Sequence, residues 1–127
     1  MNAEYLQLIS RPDVQEKIST HSKEWHDNDL VLCQERQSAE YITTYEKHLQ
    51  GCSCEPRWIP QVHDLQNPER GLWGMVDWTK ADLFKSLITH RFKLSCGYDF
   101  MEEVAANEIT LALLKALAHQ WGIEVPS

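Results

Sequence analysis

Apolar residues near the start of the chain recur at helical spacing. Tyr5, Leu8 and Ile9 share one face, and Val14 and Ile18 repeat that spacing after an interruption at Pro12. The pattern predicts helix through residues 3–26 in two pieces, because proline is tolerated in a helix's first turn and not in its interior. Asp13 and Glu16 then fall where negative charge favours a helix start, with Ser10 or Arg11 at the cap. His26-Asp27-Asn28-Asp29 reads as a polar turn.

Leu30-Val31-Leu32-Cys33 is a short apolar run of the kind that forms a buried strand. Residues 39–49 carry two readings. Tyr41, Ile42, Thr43, Thr44 and Tyr45 favour a strand by propensity, whereas Ile42, Tyr45 and Leu49 also share a helix face. Gly51 ends that segment, and residues 51–78 hold most of the turn chemistry, with Pro56, Pro60, Pro68, Gly71 and Gly74. Arg57-Trp58-Ile59 is expected to be extended, since a residue before proline avoids the helical region. Gln61 to Gln66 fits one helical turn after Pro60, and Leu72 to Trp78 fits a strand or an irregular packed segment.

Thr79-Lys80-Ala81-Asp82 resembles a capping box with Asp in the place of Glu or Gln, and predicts a helix with Leu83, Phe84, Leu87, Ile88 and Phe92 on one side. Lys93 to Tyr98 suits a strand broken at Gly97. The strongest element runs from Asn107 to Trp121, with Gly122 as its stop. Its Ile109, Leu111, Leu113, Leu114 and Leu117 leave only a narrow polar stripe of Glu108, Lys115 and His119. Such a helix is buried on several sides, either at the centre of a domain or in an oligomer interface. The expected fold is α+β, a single domain over residues 1–127, with three to four helices packed on a small, mostly antiparallel sheet.

Composition narrows the function. The chain has 127 residues, 12 Lys and Arg against 19 Asp and Glu, and a net charge of −7. No basic run marks a phosphate-backbone site, so no nucleic-acid partner is expected; an acidic surface instead suits a basic surface on a protein partner. No apolar stretch approaches the roughly 20 residues that span a bilayer, and Met1 to Leu6 lacks the basic and apolar regions of a secretion signal. A cytoplasmic location, no membrane partner, and reduced Cys33, Cys52, Cys54 and Cys96 are the matching expectations. The five tryptophans, Trp25, Trp58, Trp73, Trp78 and Trp121, supply core rings or anchors for a partner.

The densest constellation of potential ligands is His48, Cys52, Cys54 and His63. Cys and His are the usual zinc ligands, and four of them make a closed structural site. The spacing H-x3-C-x-C-x8-H departs from the common C-x2-4-C arrangements, so the competing reading is loop or buried thiols beside unrelated histidines. Glu24, His26, Asp27 and Asp29 offer oxygen ligands for a divalent cation but lack the glycine and distal glutamate of a calcium loop, which favours a solvated turn. A Cys–His nucleophile pair is open to any chain with both residue types. No nucleophile elbow, zinc-protease helix motif, phosphate loop or dinucleotide fingerprint is present, and bulky residues fill Gly71-Leu72-Trp73-Gly74.

Arg57-Trp58-Ile59-Pro60-Gln61-Val62-His63-Asp64-Leu65-Gln66 resembles a pattern in small uncharacterised bacteriophage and prophage proteins. There a tryptophan, an aliphatic residue and a proline precede a short helix with a Leu-Gln pair. An early Trp25 before an acidic loop and the strand ending at Leu32, and a closing helix around Leu111 to Leu117, follow the same order. The resemblance implies an origin in a mobile element and names no catalytic residue. Within the motif, Trp58 and Leu65 are placed to clasp a helix start fixed by Pro60. The functional expectation is therefore a non-enzymatic accessory protein acting by protein–protein contact, with homo-oligomer formation in view. A zinc-stabilised module and a small Cys/His enzyme are the alternatives.

Overall fold

The computed structural model describes residues 3–21, 26, 29–33, 38–41, 57–64, 67–97 and 100–125. The expected α+β class is observed, with the antiparallel strands divided between two three-stranded sheets. The chain forms two compact units, Met1–Gln61 and Val62–Ser127.

In the first unit, α1 (Ala3–Ile9) and α2 (Pro12–Ser19) meet at Pro12, as the spacing predicts, with Arg11 at the cap and Asp13 in the first turn. Each buries the face read from the sequence: Tyr5, Leu8 and Ile9 on α1, Val14 and Ile18 on α2. The sheet has the order β2-β1-β3, with β1 (Leu30–Cys33) between β2 (Ser38–Tyr41) and β3 (Arg57–Ile59), all antiparallel. Val31, Leu32 and Cys33 are all buried, although successive strand residues point to opposite faces. Both faces of β1 are thus covered, which is why its sequence runs apolar without alternation.

The edge of β3 is closed by a side chain. Gln15 on α2 accepts from Trp58 N–H at 3.1 Å and donates to Trp58 C=O at 2.8 Å, as a neighbouring strand would. The same amide donates to Ile9 C=O at 2.7 Å, one of the terminal carbonyls of α1 that no helical partner satisfies. One glutamine therefore ties both helices to the sheet.

The second unit holds a 3-10 turn at Pro68–Arg70, then α3 (Leu72–Met75). The helical turn expected after Pro60 is absent from residues 61–64. Val62 forms a bend there, and Pro60 C=O accepts from the Tyr5 hydroxyl at 3.2 Å. Nor is 72–78 a strand: Leu72 and Met75 turn inward together at helical spacing, and both are buried.

The larger correction is at 79–92, where the expected helix is a β-hairpin. Strand β4 (Ala81–Lys85) pairs with β5 (Phe92–Cys96), which pairs with β6 (Phe100–Val104), in an antiparallel meander. Thr79 caps no helix; its hydroxyl and its N–H both donate to the Asp77 carboxylate, at 2.5 and 3.1 Å, closing a turn before β4. Ala81 and Leu94 are buried, while Phe84, Leu87 and Ile88 are exposed. A helix would have gathered Leu83, Leu87 and Ile88 on one face. The ladder to β5 overrides that local pattern.

The closing helix α4 (Ile109–Gln120) follows a 3-10 turn at Ala106–Glu108 and ends before Gly122, whose φ of +73° suits glycine. Leu111, Ala112, Leu113, Leu114, Ala116, Leu117 and Ala118 are all buried. At its end Gln120 accepts from Asp77 N–H at 2.8 Å and donates to Met75 C=O at 3.1 Å, clipping the end of α3 to α4.

Candidate functional site

The segment 62–78 gathers the chemistry-bearing residues of the second unit. Trp73 N–H donates to Val62 C=O at 2.9 Å, folding α3 back on the bend at Val62. That approach leaves no room at Gly74, where a Cβ would sit 1.9 Å from the Pro68 carbonyl oxygen. Gly71 and Gly74 thus serve close backbone packing. Asp64 anchors the turn: one carboxylate oxygen accepts from Asn67 N–H and the other from the Arg70 guanidinium, each at 3.0 Å. Arg70 is buried and Asp64 partly exposed, so this ion pair is partly screened from salt.

His63 and Asp64 are neighbours in the resemblance motif with different roles. His63 is exposed and its ring lies 5.4 Å from that of Trp73, which in turn lies 4.4 Å from Trp78. The Trp78 indole N–H donates to Trp73 C=O at 2.8 Å. The three rings form a tilted, half-exposed row. His48, Cys52 and Cys54, proposed with His63 as a zinc site, lie outside the described residues, as do Glu24, Asp27 and Leu65. Among the described residues no group of three or more His, Cys, Asp and Glu is placed to hold a metal. Asp29 of the expected solvated turn is buried, and its carboxylate accepts from His26 N–H at 2.8 Å.

Trp58 is buried, and its backbone is held by Gln15 and β1. Pro60 is buried at the end of β3. Neither is an exposed anchor. Trp73, Trp78 and Trp121 are half-buried. Cys33 is buried; Cys96 is half-buried, and burial pushes its thiol pKa up, opposite to the shift that activates a nucleophile.

A shallow cavity of about 320 Å³ opens beside α4, lined by Phe100, Glu102, Lys115, His119, Ile123, Glu124 and Val125. Lys115 Nζ lies 3.8 Å from Glu102, and the His119 ring sits 5.6 Å from Phe100. The lining thus holds two carboxylates, Glu102 and Glu124, beside Lys115 and His119.

The outer face of the meander was not singled out by sequence reasoning. Cross-strand rows place Asp82, Ser95 and Met101 together, and Phe84, Lys93 and Glu103 together. Phe84 is 66% and Met101 60% exposed, unusual for large apolar side chains on a sheet. The signal lay in the alternation of 81–85, masked by an equally good helical spacing. No family model, curated protein or solved structure matches the chain. No helix among the described residues is long and apolar enough to cross a membrane.

Proposed function

We propose that this chain is a non-enzymatic accessory protein of phage or prophage type that acts by protein–protein contact, a second copy of itself being the first partner. The observation that carries this reading is the outer face of β4, β5 and β6. Phe84 and Met101 stand out from it among Asp82, Lys93 and Glu103, so one small surface holds exposed apolar groups and both signs of charge. A face carrying both signs can meet its own copy without like-charge repulsion. The apolar side of α4, the other candidate interface, is already buried within the chain. The resemblance of residues 57–66 to phage proteins supports the mobile-element part of the reading.

The test is the native mass by light scattering. The wild type is expected to be a dimer at micromolar concentration. Phe84→Glu with Met101→Glu is expected to weaken association at least about tenfold, equivalent to ~1.4 kcal/mol, with an unchanged circular dichroism spectrum. A wild type that stays monomeric, or a double variant that still dimerises, removes the self-association reading.

A further inference from the structure

The connection between β4 and β5 ends in an apolar apex. Leu87 is 86% and Ile88 91% exposed, so neither packs against its own hairpin. The apex is nevertheless well ordered by its own hydrogen bonds. Ser86 N–H donates to Arg91 C=O at 2.9 Å, and His90 N–H donates to Ser86 C=O at 3.0 Å. The Ser86 hydroxyl accepts from Ile88 N–H at 3.3 Å and Thr89 N–H at 3.2 Å, and Thr89 Oγ1 accepts from Arg91 N–H at 3.4 Å. Four successive amide donors, 88–91, are thus engaged inside the turn. His90 adopts φ of +57° to close it.

Charge around the apex runs against that of the chain. From Leu83 to Tyr98 there is no acidic residue, while Lys85, Arg91 and Lys93 are all present in a chain of net charge −7. Lys85 closes β4 and Arg91 directly precedes β5, so both lie behind the apex at the base of the turn. Arg91 also meets Glu103 at 3.3 Å, an exposed pair that an anionic ligand can replace.

We propose that this hairpin docks on an anionic lipid surface, Leu87 and Ile88 entering the boundary between headgroups and acyl chains while Lys85 and Arg91 meet lipid phosphates. Three observations favour a bilayer over a protein pocket. The two side chains are exposed nearly all round, and a fluid apolar medium surrounds them without a matching shape. The engaged amides of 88–91 leave those donors satisfied on entering a medium without water. The order along the hairpin, aliphatic apex and then Lys85 and Arg91, matches the order of acyl boundary and headgroup phosphates at a membrane surface. Contact of this kind needs no spanning helix.

The test is co-sedimentation of the full chain with large unilamellar vesicles of phosphatidylcholine alone or mixed with phosphatidylserine, at low and moderate salt. Sedimentation with the mixed vesicles, at least tenfold stronger than with phosphatidylcholine alone and weakened by salt, is expected. Leu87→Asp with Ile88→Asp is expected to lower it at least tenfold. Lys85→Glu is expected to lower the preference for phosphatidylserine at least about fivefold. Circular dichroism and native mass of each variant, unchanged from wild type, separate loss of docking from loss of fold or of self-association. Equal binding to neutral vesicles overturns the anionic assignment. No binding to either vesicle, or undiminished binding of the Leu87→Asp, Ile88→Asp variant, overturns the proposal, and the first of these leaves an acid-rimmed protein pocket as the occupant.

Discussion

Replacing Gln15 by alanine removes one side chain and breaks three hydrogen bonds. The lost bonds are those to Ile9 C=O, Trp58 C=O and Trp58 N–H, at 2.7, 2.8 and 3.1 Å. Each intramolecular hydrogen bond is worth about 1 kcal/mol net. The site is half-buried, so water reaches part of what is left and restores some of that energy. The expected loss is about 2–3 kcal/mol. With a urea slope of ~2 kcal/mol per molar for a chain this size, the midpoint of the transition involving the first unit falls by about 1–1.5 M. Far-ultraviolet circular dichroism in urea reads this directly. Gln61→Ala, the same substitution at an exposed site, is the control and is expected to stay within about 0.5 kcal/mol of wild type. Gln15→Glu sharpens the test. A carboxylate there accepts from Trp58 N–H but faces two carbonyls without a proton to offer, so its folded pKa is raised. The deficit of this variant is therefore greatest at neutral pH and shrinks as pH falls through that raised value and the carboxyl regains a donor. A Gln15→Ala midpoint matching that of Gln61→Ala would refute the idea that this amide acts as the missing edge of the sheet.

Two further outcomes are expected. Gly74→Ala drives a Cβ to within 1.9 Å of the Pro68 carbonyl oxygen, a backbone atom that cannot rotate away; the expected cost is about 3 kcal/mol, and a thermal midpoint equal to wild type would show that the turn and α3 part freely. Burial pushes the Tyr5 phenol well above its ordinary value, so the neutral form is favoured in the fold. Its contribution is complete below about pH 10 and is lost as pH rises through that ordinary value toward the raised one. Tyr5→Phe is expected to cost about 1 kcal/mol at pH 8, from the lost bond to Pro60, and less by pH 11, where wild type alone bears the phenolate penalty; urea midpoints across that range check it.

Local pattern was sufficient where one reading had no rival. Pro12 divided the first two helices because proline has no amide proton and a fixed φ. Leu30 to Cys33 suited a buried strand and the apolar girdle of 109–120 a helix ended by Gly122, and both elements form. Where two periods fitted, local pattern failed. Leu83, Phe84, Leu87 and Ile88 satisfy a helical spacing, yet Leu83 pairs with Leu94 across a ladder and leaves Leu87 and Ile88 at an exposed apex. Both surfaces on which function is proposed, the outer sheet face and the hairpin apex, arise from that choice, so neither was legible before it. The Gln15 and Gln120 amides bridge residues 43 to 45 positions apart, and no short-range signal marks them. Thus composition, charge and the dominant apolar runs determined the class of the protein: a small acidic α+β chain. The tertiary structure decided which of two compatible periods each short segment adopts. The energy that settles that choice comes from pairing and burial against residues far along the chain, and a local window does not contain it.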